Sequence, residues 1–285
     1  MSRVLKELVE LLQLERLEQN LFRGQSQDLG WGTVFGGQVL GQALSAAAQT
    51  VPEDRIAHSL HGYFLRPGDV NAPIVYDVDC IRDGKSFTTR RIVAIQHGRA
   101  IFNMAASFQI VEDGFDHQTE GPDTPGPDAL MSEQALATVI ADKIPEPLRS
   151  RAIGDRPIEA RPVNPSNPLA PSKAPPKQQI WYRAAEALPD DTYIHQCLLA
   201  YASDFYFLGT AMRPHGVSAF QPSIQAASLD HSMWFHRPFR VDEWLLYDID
   251  SPSASNARGL ARGQFFDQKG RLVASSAQEG LMRQR

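Results

Sequence analysis

The hydrophobic pattern changes period along the chain and then starts again. Val4, Leu5, Leu8, Leu11 and Leu12 recur at helical spacing, which predicts an amphipathic surface helix over residues 3–18. Residues 36–48 (GGQVLGQALSAAA) predict a second helix, whose small side chains suit close packing on a broad surface. Gly37 and Gly41 lower helix propensity there, so they need a packing or site reason. From residue 57 apolar and polar positions alternate instead. Strands are predicted over 59–65, 73–81, 87–96 and 99–111, with His97-Gly98 turning between the last two. A helix followed by a run of antiparallel strands, without βαβ alternation, is an α+β unit.

Residues 112–178 interrupt the pattern with a crowd of prolines, from Pro122 to Pro176, and room for one short helix over 130–143. The first pattern then returns: a strand over 180–187, a long helix over 192–212, and strands over 226–235, 243–250, 258–267 and 271–281. At a shift of about 171 residues, Tyr63-Phe64-Leu65-Arg66-Pro67 lies over Trp234-Phe235-His236-Arg237-Pro238. Tyr76-Asp77-Val78-Asp79 lies over Tyr247-Asp248-Ile249-Asp250, and Gly98-Arg99 matches Gly270-Arg271 one residue further on. Three matches in order indicate an internal duplication. The expected organisation is an N-terminal repeat over 1–115, a crossing linker over 116–178, and a C-terminal repeat over 179–285.

Composition narrows the function classes. With 28 Lys+Arg against 33 Asp+Glu, the net charge of -5 argues against a nucleic-acid partner. Fourteen Phe, seven Tyr and four Trp argue against an open chain. Cys80 and Cys197 lack CxxC spacing and make no disulfide scaffold, and Cys197 reads as buried. The N-terminus has no signal-peptide core, no stretch approaches the roughly 18 apolar residues of a spanning helix, and the C-terminus does not match the common peroxisomal tripeptide. A cytoplasmic protein with no membrane partner is expected.

The two repeats differ where chemistry could sit. Asp204 is a lone carboxylate in the apolar run Tyr201-Ala202-Ser203-Asp204-Phe205-Tyr206-Phe207, and a buried Asp needs hydrogen bonds or a partner. Gly37 is its rough counterpart in the first repeat, while Ser228 aligns with Ala57 and Gln278 with Ala106. One copy is equipped and the other plain. The trio suits hydrolysis by a directly attacking water, with Asp204 as general base and Ser228 and Gln278 holding water or base by hydrogen bonds. His58, His61, His195, His215, His231 and His236 are further base candidates. His58 is foremost as a supporting residue, because it precedes a strand near the inter-repeat surface. Gly-x-Ser-x-Gly, Gly-x-Gly-x-x-Gly, Walker and His-Glu-x-x-His motifs do not occur, and no cofactor or metal is expected.

Phe22-Arg23-Gly24-Gln25, Val34-Phe35-Gly36-Gly37-Gln38, Leu65-Arg66-Pro67-Gly68-Asp69 and Leu229-Asp230-His231-Ser232-Met233-Trp234-Phe235-His236 resemble the acyl-CoA thioesterase II family, TesB type, and the likeness runs through essentially the whole chain. The resemblance implies a double hotdog: two fused α+β repeats, each with a long helix wrapped by a curved antiparallel sheet. It implies hydrolysis of acyl-CoA, over a broad medium to long chain range, to free fatty acid and CoA. It also implies no metal or redox cofactor and a homo-oligomer, dimer or tetramer. The family's Asp, Thr or Ser, and Gln fall on Asp204, Ser228 and Gln278. Ser228 stands where bacterial relatives commonly carry Thr, so the hydroxyl is kept and the rotamer-restricting methyl lost. A backbone N–H near Gly36 and Gly37 or in the second helix is expected to stabilise the oxyanion. Phe205, Phe207 and Trp234 are expected to line the acyl channel, and Arg90, Arg91 or Arg258 to meet the CoA phosphates. Two other readings stand beside this one: a hotdog hydratase or dehydratase acting on enoyl- or hydroxyacyl-CoA, and a non-catalytic acyl-CoA-binding protein.

Overall fold

Among residues 1–146 and 148–285, which the computed structural model describes, thirteen strands share one sheet and two central helices pack together against it. The first repeat runs α1 (Arg3–Leu12), β1 (Glu15–Glu18), β2 (Leu21–Gly24), α2 (Gly36–Ala48), β3 (Ile56–Phe64), β4 (Ile74–Asp83), β5 (Phe87–Gln96) and β6 (Arg99–Gln109). The proline-rich stretch holds the short helices α3 (Glu133–Val139) and α4 (Leu148–Ile153) and the edge strand β7 (Ile158–Pro162), which pairs with β8 (Lys177–Ala184). The second repeat follows with α5 (Thr192–Ser203), α6 (Phe207–Met212), β9 (Ile224–Ser228), β10 (Asp230–Phe235), β11 (Leu245–Ser255), β12 (Arg258–Asp267) and β13 (Leu272–Gln284).

The strand order is β1-β2-β4-β5-β6-β3-β10-β13-β12-β11-β8-β7, with β9 alongside β13. Its two halves mirror each other about the antiparallel pair β3–β10. His61 lies opposite Ser232, the residue that the duplication makes its counterpart, and their side chains meet at 3.1 Å. Each repeat therefore covers the other's edge strand, so neither has to close on itself. This corrects one expectation. Two helix-bearing repeats are present, as a double hotdog requires, but the sheet is not curled around the helices. The repeats contribute to a single open sheet that ends at β1 and β7.

The helices meet through glycine. α2 and α5 run antiparallel, with Gly37 against Tyr201 and Gly41 against Cys197. A Cβ at Gly37 would lie 2.2 Å from the Tyr201 carbonyl oxygen, and one at Gly41 would lie 3.0 Å from that of Cys197. Gly37 thus trades helix propensity for a backbone approach that no side chain permits, and Gly41 sits where a side chain would be tight. Around this contact Leu40, Leu44, Leu198, Leu199 and Ala200 are buried together with Leu5 and Leu8 of α1. Tyr76 and Tyr247, also related by the duplication, point inward: Tyr76 donates to Gln42 Oε1 and Tyr247 to the Ser203 carbonyl.

Gly37→Ala is expected to lower the unfolding free energy by about 1–3 kcal/mol, because backbone must shift to admit the methyl. Gly209→Ala, in α6 where nothing lies within 4 Å of the added carbon, should leave stability unchanged or raise it slightly. Urea titrations of both variants check this, and a Gly37→Ala protein as stable as wild type would contradict the close approach.

Candidate active site

The predicted helix over 192–212 breaks where its carboxylate sits. α5 ends at Ser203, Asp204 takes the C-cap position, and Tyr206 adopts φ 73° before α6 begins. A left-handed conformation is costly for a residue with a side chain, by about 1–3 kcal/mol, and such strain concentrates at functional sites. The break turns the Asp204 carboxyl out of the helix and toward the first turn of α2. There the Gly37 N–H faces it and holds its pKa down, as does the positive end of the α2 dipole. Gly36 leaves the space: a Cβ there would lie 2.6 Å from Asp204 Oδ2. Gly37 is therefore a contact of Asp204, and the earlier alignment of the two is corrected. Gly36 and Thr192 open the two helices, so Asp204 takes the place of Ala48.

Ser228 and Gln278 come from neighbouring strands. The predicted strand over 226–235 is interrupted at Leu229, whose N–H donates to the Glu279 carbonyl and whose carbonyl accepts from Phe64. Ser228 thereby ends β9 opposite Gly280 of β13, two residues from Gln278. Its hydroxyl donates to Asp204 Oδ1 at 3.4 Å, and Gln278 Nε2 donates to Ser228 Oγ at 2.7 Å. The three side chains thus form one connected group.

The electrostatics of this group follow from burial. The Asp204 side chain is 3% exposed. Loss of water pushes its pKa up to about 7, against the opposing donors Gln278, Gly37 and Ser228. A carboxyl that titrates near neutrality can both take and return a proton at ordinary pH. Three groups around it were not foreseen as a set. His231 Nδ1 lies 2.7 Å from Gln278 Oε1, Ser203 Oγ lies 2.9 Å from His231 Nε2, and Tyr247 donates to the Ser203 carbonyl. The signal for His231 was present in the strand alternation, which turns it inward with Met233 and Phe235.

The other candidates divide. Phe205 stacks on Phe35 at 4.3 Å and stands edge-on to Tyr201, forming an aromatic cluster beside Asp204. Phe207 is fully buried against His231 and Tyr247 and is part of the core. Trp234 lies on the opposite face of β10 from His231, edge-on to His61, so it does not face the helices. His58 sits at an irregularity of β3 with its ring against Phe87, and no hydrogen bond among the described residues joins it to Asp204, Ser228 or Gln278. Arg90 is 2% exposed and satisfied by Thr50, Arg82, Thr89 and Asp83, so it braces the sheet and is not available to a phosphate. Arg91 is exposed and paired with Asp79, and Arg258 pairs with Glu279, next to Gln278. Among the described residues no His, Cys, Asp or Glu cluster has the arrangement of a metal site.

The chain matches known proteins along its whole length. A family model described as acyl-CoA thioesterase matches residues 147–281, and one described as acyl-CoA thioesterase N-terminal domain matches residues 26–109. The chain is 46% identical to acyl-CoA thioesterase 2 of Haemophilus influenzae over 283 residues, covering 99% of each. It is 42% identical to human acyl-coenzyme A thioesterase 8, over 96% of this chain and 88% of that one. The crystal structure of acyl-CoA thioesterase II TesB2 from Mycobacterium marinum superposes with a TM-score of 0.80 at 45% identity, over 98% of both chains. On these matches, and with a fold of two helix-bearing repeats, the chain belongs to the acyl-CoA thioesterase II (TesB-type) family.

Proposed function

We propose that Asp204 is the general base of a thioester hydrolysis in which water attacks directly. The overall reaction, acyl-CoA and water to free fatty acid and CoA, comes with membership of the family, which also sets the hydratase and pure binding readings aside. Asp204 takes a proton from a water held by Ser228 and Gln278, and the water oxygen bonds to the thioester carbon. The carbonyl oxygen becomes an oxyanion. Because the Gly37 N–H is engaged by Asp204, the donor we assign to the oxyanion is the neighbouring Gly36 N–H at the start of α2. The C–S bond then breaks, and the proton held by Asp204 passes to the departing thiolate. The observation that carries this reading is a carboxyl only 3% exposed, joined by hydrogen bonds to Ser228 and through it to Gln278; burial pushes its pKa up to about 7.

Medium to long acyl chains suit the aromatic cluster of Phe35, Tyr201 and Phe205 beside the carboxyl. A homo-oligomer, dimer or tetramer, fits the exposure of Tyr63 and Trp234 on the outer face of the β3–β10 seam. A cytoplasmic location belongs to the same proposal. No helix among the described residues is long and apolar enough to cross a membrane, and a Saccharomyces cerevisiae relative is named a peroxisomal thioester hydrolase. Arg258 is the arginine best placed to meet a CoA phosphate, since its partner Glu279 adjoins Gln278.

Asp204→Asn should lower kcat on a saturated acyl-CoA by at least about 100-fold with KM changed little. Release of free thiol measures this, and retained turnover would contradict the base assignment. In the wild type, kcat/KM should rise with pH and level off with a midpoint of about 7, since only the ionised carboxyl accepts the proton. The same shift bears on stability. The folded-state pKa of about 7 lies above the ordinary 3.8, so stability is fully present below about 3.8 and is lost as pH rises through about 7. Asp204→Asn should therefore melt higher than wild type at pH 8, by a larger margin than at pH 5. A margin that narrows toward pH 8 would show the opposite shift.

Phe205→Ala should raise KM for medium and long chain substrates about tenfold and leave that for acetyl-CoA within about twofold, because the lost contact is apolar area along the chain. An equal effect at all chain lengths would remove Phe205 from the acyl path.

A further inference from the structure

The second repeat carries a longer polar chain than the three residues that carry the chemistry. His231 is fully buried, and burial holds its pKa down at about 4, so the ring is neutral and has one donor and one acceptor nitrogen. The Gln278 amide turns its NH2 toward Ser228 and the Asp204 carboxylate, where a donor is required, and its Oε1 toward His231. Oε1 only accepts, so His231 Nδ1 bears the hydrogen. Nε2 is then free to accept, and Ser203 Oγ is 2.9 Å away with a single hydrogen that it shares between Nε2 and the Ala200 carbonyl. The direction is the same at the three links that lead to the carboxyl: His231 to Gln278, Gln278 to Ser228, and Ser228 to Asp204. Reversing the Gln278 amide would place its oxygen against Ser228 Oγ, and the serine proton would turn away from Asp204.

The first repeat supplies an independent comparison. At the duplicated positions it holds Ala47 for Ser203, Leu60 for His231, Ala106 for Gln278, Ala57 for Ser228 and Ala48 for Asp204. Leu60, Ala106, Ala57 and Ala47 are all buried there. The buried Tyr76 and Tyr247, by contrast, occur in both repeats. All five polar residues of this chain are thus present in one repeat and replaced by apolar ones in the other. His231 goes with the site, although the fold itself accepts leucine at the equivalent place.

We infer that His231 is a positioning residue for the thioester hydrolysis: its Nδ1–H locks the Gln278 amide in the orientation that lets Gln278 and Ser228 serve Asp204. The inference rests on the reading of Asp204, Ser228 and Gln278 given above. The titratable groups packed around Asp204 are His231 on β10 and Tyr247 on β11. Tyr247 stays neutral, because burial raises its pKa well above the usual range. His231 Nδ1 also lies 3.9 Å from Asp204 Oδ1, so a change in the Asp204 midpoint on replacing His231 reports the donors of Gln278 and Ser228 only where it vanishes in the Gln278→Ala background.

The test compares His231→Leu, His231→Asn, His231→Gln, Gln278→Ala and the double variant His231→Leu/Gln278→Ala, by kcat, KM, the pH midpoint of kcat/KM, and melting temperature. An asparagine amide nitrogen falls where Nδ1 was, and a glutamine amide nitrogen falls where Nε2 was. His231→Leu should lower kcat about 10- to 100-fold with KM within about threefold, and should move the pH midpoint up by about one unit. His231→Asn should recover most of the rate and His231→Gln should not. In the Gln278→Ala background His231→Leu should cost nothing further, because the two act through one bond.

A His231→Leu enzyme with wild-type kcat and midpoint overturns the inference. So does a full additional loss in the double variant, or Asn and Gln variants that behave alike. If His231→Leu does not fold, the Asn and Gln pair decides by the same criterion. A Gln278→Ala enzyme that turns over like wild type also overturns it, whereas the Asp204 base stands or falls separately on Asp204→Asn.

Discussion

One buried carboxylate organises this molecule. Asp204 lies where the end of α5 meets the start of α2, and each neighbouring feature accommodates it. The helix breaks so that the side chain can leave it, with Tyr206 held in a left-handed conformation as the consequence. Gly36 has no side chain to occupy the carboxyl's space, and the Gly37 N–H meets it. β9 and β10 are offset at Leu229, which brings Ser228 to within hydrogen-bonding distance. Desolvation raises the pKa, and the donors lower it again, so that the balance falls at about 7. Burial disfavours the ionised form, so stability is given up at the same carboxyl that we propose as the base.

The duplication explains how such a site can sit in a protein that still folds. The β3–β10 seam and the α2–α5 contact are both antiparallel and place related residues opposite one another. They bind two similar repeats into one sheet and one core. That scaffold offers two equivalent places for polar chemistry. In the first repeat small or apolar residues fill the place, and the packing there contributes stability without a desolvated charge. In the second, polar side chains fill it. The plain copy supports the equipped one directly, because the α2 N-terminus that faces Asp204 belongs to the first repeat.

Much of this was legible in the chain. Alternation and helical spacing located the strands and the two central helices, and the offset between matching segments exposed the duplication. The same offset isolated Ser228 and Gln278, because alanines stood at their counterparts. What the chain did not disclose has physical reasons. No glycine marks the turn at Tyr206, so Asp204 read as a residue inside a continuous helix. The joining of the two repeats depends on which edges are left unpaired, which periodicity does not encode, and a sheet wrapped around each helix was expected in its place. Arg90 looked like a ligand for phosphate because its partners, Thr50 and Asp83, are distant in sequence. The alternation of β10 separates Trp234 from His231, one facing out and the other in.

The proposed hydrolysis turns on the ionisation of one side chain, and that can be observed without turnover. Aspartate labelled with carbon-13 at the carboxyl, followed by NMR across pH in the wild type and in Asp204→Asn, identifies the Asp204 resonance by its disappearance in the variant. This resonance is expected to titrate with a midpoint of about 7. Titration at the ordinary 3.8 would mean that the carboxyl is solvated or fully compensated, and would contradict Asp204 as a buried base.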